Sequence, residues 1–161
     1  MSQPLDSETT IGDFAGQSPA EKSGLEQLQS MLNGETPPPA MAATLGFWLS
    51  HCEHGLAVFT SEPQERHLNP LGTVHGGLAA TLLDSCLGCA VHTTLKPGEG
   101  YTTIDLNVKY LRPILPTTGQ LRAEGRIVYR GRRMATAEGK LLGPDGKVYA
   151  HGGTTCMIFP P

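Results

Sequence analysis

His67-Leu68-Asn69-Pro70-Leu71-Gly72-Thr73-Val74-His75-Gly76-Gly77-Leu78-Ala79-Ala80-Thr81-Leu82-Leu83-Asp84 is the stretch on which the fold turns. A polar loop broken by proline and glycine runs into a glycine pair, and from Gly76 to Leu95 the chain is dominated by Ala, Leu, Gly, Cys and Thr, with Asp84 as its one charged residue. That composition predicts a helix apolar on nearly every side, which something else must cover. A membrane span is the rival reading. It fails because the segment is at the lower length limit, holds a carboxylate near its centre and contains Gly76, Gly77 and Gly88.

The sequence that follows supplies the cover. After the turn Lys96 to Gly100, Ile104, Leu106, Val108 and Tyr110 alternate with Asp105, Asn107 and Lys109, the period of a half-buried strand ending at Arg112-Pro113. Gln120 to Tyr129 and Met134 to Leu142 read as two further strands joined by the basic turn Arg130-Gly131-Arg132-Arg133, and Pro144-Asp145-Gly146 leads into a last strand, Lys147 to Phe159. Upstream, Met41 to Leu49 and Gly55 to Thr60 read as an antiparallel pair about a polar turn, His51 to His54. An antiparallel sheet curled around one long helix accounts for this order, an α+β architecture.

The amino-terminal part reads differently. Residues 1 to about 20 are rich in Ser, Thr, Gly, Gln and acids, as expected of a mobile tail. From Ser23, residues Leu25, Leu28, Met31 and Leu32 share a helical face, and Asn33-Gly34 ends that helix. Pro37-Pro38-Pro39 is a stiff spacer. The expected division is therefore a flexible tail with a short amphipathic helix and spacer at 1–40, and the main domain at 41–161.

With 161 residues one domain is expected, and a net charge of -3 argues against a general nucleic-acid binder. The start Met1-Ser2-Gln3-Pro4 lacks the basic and apolar regions of a secretory signal, so a cytoplasmic location is expected. The four cysteines, Cys52, Cys86, Cys89 and Cys156, suit reduced thiols in apolar surroundings. Cys86 and Cys89 form C-x-x-C, but inside a helix rather than at its start, which disfavours a redox pair. His51-Cys52-Glu53-His54 has metal-binding composition without a second ligand pair, so no metal is expected.

Chemistry concentrates on the opening stretch. Free N–H groups at a helix start, with the positive end of its dipole, suit an oxyanion, and glycine lets a ligand approach closely. Asp84 is the one nucleophile or general base on the helix; its alternative is a carboxylate satisfied by Ser85, Thr81 or the backbone. Seven residues at the helical rise set Asp84 about 10 Å from Gly77 along the axis, too far for one short side chain to share a reacting centre with it. If both serve one site, they come from two copies of the chain. His75 reads first as a positioning residue and second as a base; Asn69 either aims its amide at substrate or shapes the loop; Thr102 and Thr103 orient water or satisfy a sheet edge.

His67-x-Asn69-x-x-Gly72-x-x-His75-Gly76-Gly77, with Asp84 and the strand Ile104 to Pro113 after it, closely resembles the hotdog thioesterases of the phenylacetate-pathway, PaaI-like type over roughly residues 42 to 158. The resemblance implies the hotdog fold, a double-hotdog homodimer, and a homotetramer built from two dimers. It implies acyl-CoA thioesterase activity, with acyl- or aryl-acyl-CoA as substrate and no bound cofactor. By analogy, Gly77 donates to the thioester oxygen, Asn69 polarises or places it, His75 supports the loop, and Asp84 of the partner subunit attacks or activates water. Thr103 assists, with Thr102 left open by the length of the turn. Tyr110, Arg112, Pro113, Arg130, Gly131, Arg132 and Arg133 are implied to face the nucleotide part of CoA. Val74, Leu78, Leu82 and strand residues are expected to line the acyl pocket. Two rivals remain: a hydratase or dehydratase of enoyl or hydroxyacyl thioesters, and a non-catalytic acyl-CoA-binding protein on the same fold.

Overall fold

A computed structural model describes residues 21–161, so the tail expected at residues 1 to 20 lies outside the described residues. Helices α1 (Gly24–Leu32) and α2 (Ala40–Leu45) precede strands β1 (Phe47–Glu53) and β2 (Leu56–Ser61). The long helix α3 (Gly76–His92) follows, and then β3 (Gly100–Tyr110), β4 (Leu121–Arg130), β5 (Met134–Leu142) and β6 (Val148–Phe159). The strands form one six-stranded sheet in the order β1-β2-β4-β5-β6-β3, and every neighbouring pair is antiparallel. The sheet curls around α3, which touches β2, β3, β4, β5 and β6. This is the hotdog arrangement.

The core is where helix meets sheet. Leu82, Leu83, Cys86 and Leu87 of α3 are fully buried, each leucine contributing about 2 kcal/mol by leaving water. Across from them the strands carry small residues: Ala123, Gly125, Ala135 and Ala137. A side chain at Gly125 would overlap the Cys86 carbonyl, and one at its cross-strand partner Gly139 would press on Leu87. The glycines thus let α3 lie against the sheet backbone.

Three expectations need correcting. Residues 40–45 are helical, not part of a strand starting at Met41: Pro39 opens the helix, four of its first five residues are good helix formers, and Gly46 at φ 69° closes it in the left-handed region. An apolar run this short does not reveal its period. Strand β1 continues through His51 and Cys52 to Glu53, so the turn is only His54-Gly55, with the polar side chains simply facing out. The third concerns β3, whose alternating residues are covered only in part: Val108 packs against the core, but Ile104 and Leu106 are 52% and 36% exposed. β3 is an edge strand with a bulge between Thr103 and Asp105, which leaves Ile104 and Leu106 uncovered in one chain.

The amino-terminal helix is built as its sequence suggests. Ser23 caps α1 in a reciprocal capping box with Glu26. It is not detached, however. Gly24 N–H donates to the Leu95 carbonyl at 3.0 Å, and Leu28 is part of the core. The helix placed with the tail at 1–40 therefore packs on the main body. Among the described residues, no helix is long and apolar enough to cross a membrane.

Candidate active site

The loop before α3 is tied into itself. Asn69 Oδ1 accepts from the Leu71 and Thr73 N–H groups at 2.9 and 3.3 Å, while its Nδ2 donates to Thr73 Oγ1 at 2.8 Å. Both ends of the amide are therefore used in shaping the loop. His67 fixes the loop from below, between the Gln64 N–H and the Leu45 carbonyl.

His75 is the cap of α3. Its Nδ1 accepts the Gly77 N–H at 2.9 Å, and its carbonyl accepts the Leu78 N–H at 3.0 Å. The imidazole thus engages the very N–H expected to meet an oxyanion. Gly76 has a separate reason to be glycine, since a Cβ there would sit 3.1 to 3.3 Å from the Tyr110 ring, whose hydroxyl donates to the Gly76 carbonyl at 3.1 Å. Tyr110, Arg112 and Pro113 thus line one open cleft with Val74 and Gly76 at the start of α3.

Asp84 belongs to a different space. Thr103 Oγ1 donates to its Oδ1 at 3.2 Å, whereas Thr81, an alternative partner, donates to the Gly77 carbonyl. Thr102 is exposed on the edge strand, so Thr103 is the inward hydroxyl of the two. Both Asp84 and Thr103 line a cavity of about 260 Å³ with Met31, Phe47, Phe59 and His92. Gly76 and Tyr110 do not reach it. Of the residues expected to form the acyl pocket, strand residues Phe47, Phe59 and Tyr101 line this cavity, whereas Leu78 and Leu82 are buried in the core and Val74 faces the other cleft.

The basic turn lies at the opposite end of α3 from Tyr110. Arg130 is bound to Glu99 at 2.6 Å, to Thr94 and to the Gly131 carbonyl, while Arg132 and Arg133 are exposed. One chain therefore does not bring the expected CoA-facing residues together. The C-x-x-C pair is chemically quiet: burial raises both thiols, Cys89 to about 12. Among the described residues no cluster of His, Cys, Asp or Glu could hold a metal ion.

Sequence reasoning missed Gln27, His92 and Tyr101. The signal was present in α3, because Asp84, Ser85, Gly88, Cys89 and His92 recur at helical spacing as the less apolar stripe of an apolar helix, and all five line the cavity. Burial holds the His92 imidazole neutral, lowering its pKa to about 4.

The model of the thioesterase superfamily matches residues 71–150. A crystal structure from Ralstonia eutropha, described as a phenylacetic acid degradation-related protein, is 36% identical with a TM-score of 0.73, covering 81% of this chain and 98% of that one. The E. coli PaaI protein, from the phenylacetic acid degradation operon, shares the fold at 20% identity and a TM-score of 0.74, covering 85% of this chain and 96% of its own. Mouse acyl-coenzyme A thioesterase 13 is 34% identical over 90 residues, 55% of this chain and 63% of its own length. The chain spans from 48% to 63% of the length of the first curated relatives it matches.

Proposed function

The chain belongs to the thioesterase superfamily, and from that premise we propose that it is an acyl-CoA thioesterase, cleaving an acyl- or aryl-acyl-CoA thioester to the free acid and CoA in a site shared by two copies. The observation that carries this reading is Asp84, held by Thr103 on an otherwise apolar helix and opening on an apolar cavity. Its carboxylate either adds to the carbonyl, expelling CoA thiolate and leaving an anhydride that water opens, or takes a proton from the attacking water. In both routes the C–S bond breaks and the thiolate takes up a proton.

Exposed Ile104 and Leu106 on the edge strand support a dimer. Antiparallel pairing of β3 with its copy, centred on Asn107 and with the bulge at Ile104 taking up one residue, would set Thr103 opposite the partner's Tyr110, and Gly100 beside the partner's Pro113. Asp84 would then face the start of the partner's α3, where the Gly77 N–H group meets the thioester oxygen once the imidazole of His75 yields it. The same pairing brings Arg132 and Arg133 toward the partner's Arg112, forming one basic rim for the CoA phosphates. Asn69 acts in this scheme by holding the loop. Stacking of two such dimers gives the homotetramer, and the free cysteines suit the reducing cytoplasm.

The test is thiol release from a panel of acyl- and aryl-acyl-CoA esters. Release that disappears in Asp84→Asn supports the reading. Binding of the esters without release by the native chain, or hydration of crotonyl-CoA without release, overturns it.

A further inference from the structure

Helix α1 lies outside residues 71–150, the region matched by the family model, yet it forms one wall of the Asp84 cavity. Gln27, Leu28 and Met31, one face of α1, line that wall. The helix is fastened at the far end of the cavity. His92 is eight residues beyond Asp84, about 12 Å along the helix axis. Gln27 Nε2 donates to the Lys22 carbonyl at 3.0 Å, which fixes the amide so that Oε1 accepts from His92 Nε2 at 3.0 Å. The ring of His92 also packs edge-on to Tyr101, with centroids 5.5 Å apart. Gly24 completes the attachment, because a side chain there would overlap the His92 carbonyl. Helix α1 is thus seated through specific bonds on the His92 side of the cavity.

We propose that α1 is the acyl-selecting wall of the site, with the Gln27–His92 pair as its end stop and Met31 setting its width. The inference rests on Asp84 being the reacting carboxylate. An end stop there makes the cavity a measure of acyl size. At about 260 Å³ it exceeds the roughly 150 Å³ cavity that holds benzene. It therefore accommodates a single ring with a short arm or a medium-length chain, and a long chain has no exit past Gln27 and His92. Met31 is partly buried against the core, so its volume can change at modest structural cost.

The ladder runs from acetyl- through hexanoyl- and phenylacetyl- to dodecanoyl- and palmitoyl-CoA, read as kcat/KM by thiol release. The native chain should prefer hexanoyl and phenylacetyl esters. Met31→Ala should raise the phenylacetyl-to-hexanoyl ratio about tenfold, and Met31→Trp should lower it by a similar factor. Binding of hydrolysis-resistant thioether analogues of the same ladder, followed by calorimetry, should shift in the same directions. An unchanged ranking in both variants, each folded by its melting transition, overturns the inference. If the native chain releases no thiol, the thioesterase reading falls; the wall still stands when the binding ranking shifts, and falls with it when the ranking does not.

Discussion

The two ends of the catalytic stretch are built in opposite ways. At the start of α3 the polar groups are committed to one another: Asn69 to its own loop, the Gly77 N–H to His75, and the Tyr110 hydroxyl to the Gly76 carbonyl. Two turns further on, Asp84 has one hydroxyl partner and a cavity beside it. Within one chain the first region is a frame and the second is a half-site. A committed donor serves an oxyanion only when something displaces its partner, whereas a carboxylate facing an apolar cavity is already placed for a substrate. On the mechanism proposed above, substrate binding would convert the loop from frame to participant.

Removing the half-site should have the largest effect. Asp84→Asn keeps the shape and the bond to Thr103 but removes the basic, nucleophilic oxygen, and kcat should fall on the order of a thousandfold with the oligomer unchanged by sedimentation. An undiminished kcat would mean that the cavity is not where chemistry occurs. Next in size is the joining of half-site to frame. Leu106→Lys places a charge on the exposed edge strand, away from the Asp84 cavity. If the site spans two chains, the variant should sediment as a monomer and lose at least about tenfold in activity, recovering as protein concentration rises. A monomer of full activity would show that each chain carries its own site.

The far end of the cavity responds to pH. His92 is held at about 4 by burial, against about 6.5 ordinarily. The unfolded chain therefore takes up this proton first as the pH falls, so the folded chain loses stability from about pH 6.5 downward until the loss levels off near pH 4. The full difference is on the order of 3 kcal/mol. Melting curves across that window should be steeper in pH for the native chain than for His92→Gln, which keeps a donor toward Gln27 and does not titrate. Equal slopes would remove His92 as the source.

Much of this was legible in the sequence, and what was hidden was hidden for physical reasons. The helix from Gly76 declared itself because only a wrapped helix tolerates apolar residues on every side, and β5 announced its ends through the flanking basic turn and Pro144-Asp145-Gly146. The separation of Asp84 from Gly77 followed from helical rise alone. The cavity beside Asp84 did not, because one of its walls is α1, more than fifty residues away in sequence from Asp84, and amphipathic spacing says that Leu28 and Met31 face something without saying what. Ile104 and Leu106 were misread in a related way. Alternation marks a face meant to be covered, but a second chain can cover it as well as the first.

The smallest effect tests the frame itself. His75→Ala removes the imidazole that accepts the Gly77 N–H, and loss of such a cap should lower stability by about 1 kcal/mol. Its effect on catalysis separates two roles. If His75 only positions the loop and must release the Gly77 N–H to substrate, the alanine variant has that donor already free. KM should then fall or stay level, and kcat should stay within a few-fold of native. If His75 is a base, kcat should drop a hundredfold or more, with loss of the acid limb in the pH profile. His75→Asn refines the comparison, since its amide oxygen can accept the Gly77 N–H but cannot take a proton near neutrality. Stability restored with native-like kcat would place His75 with the frame, and restored stability with the activity still lost would move it to the half-site.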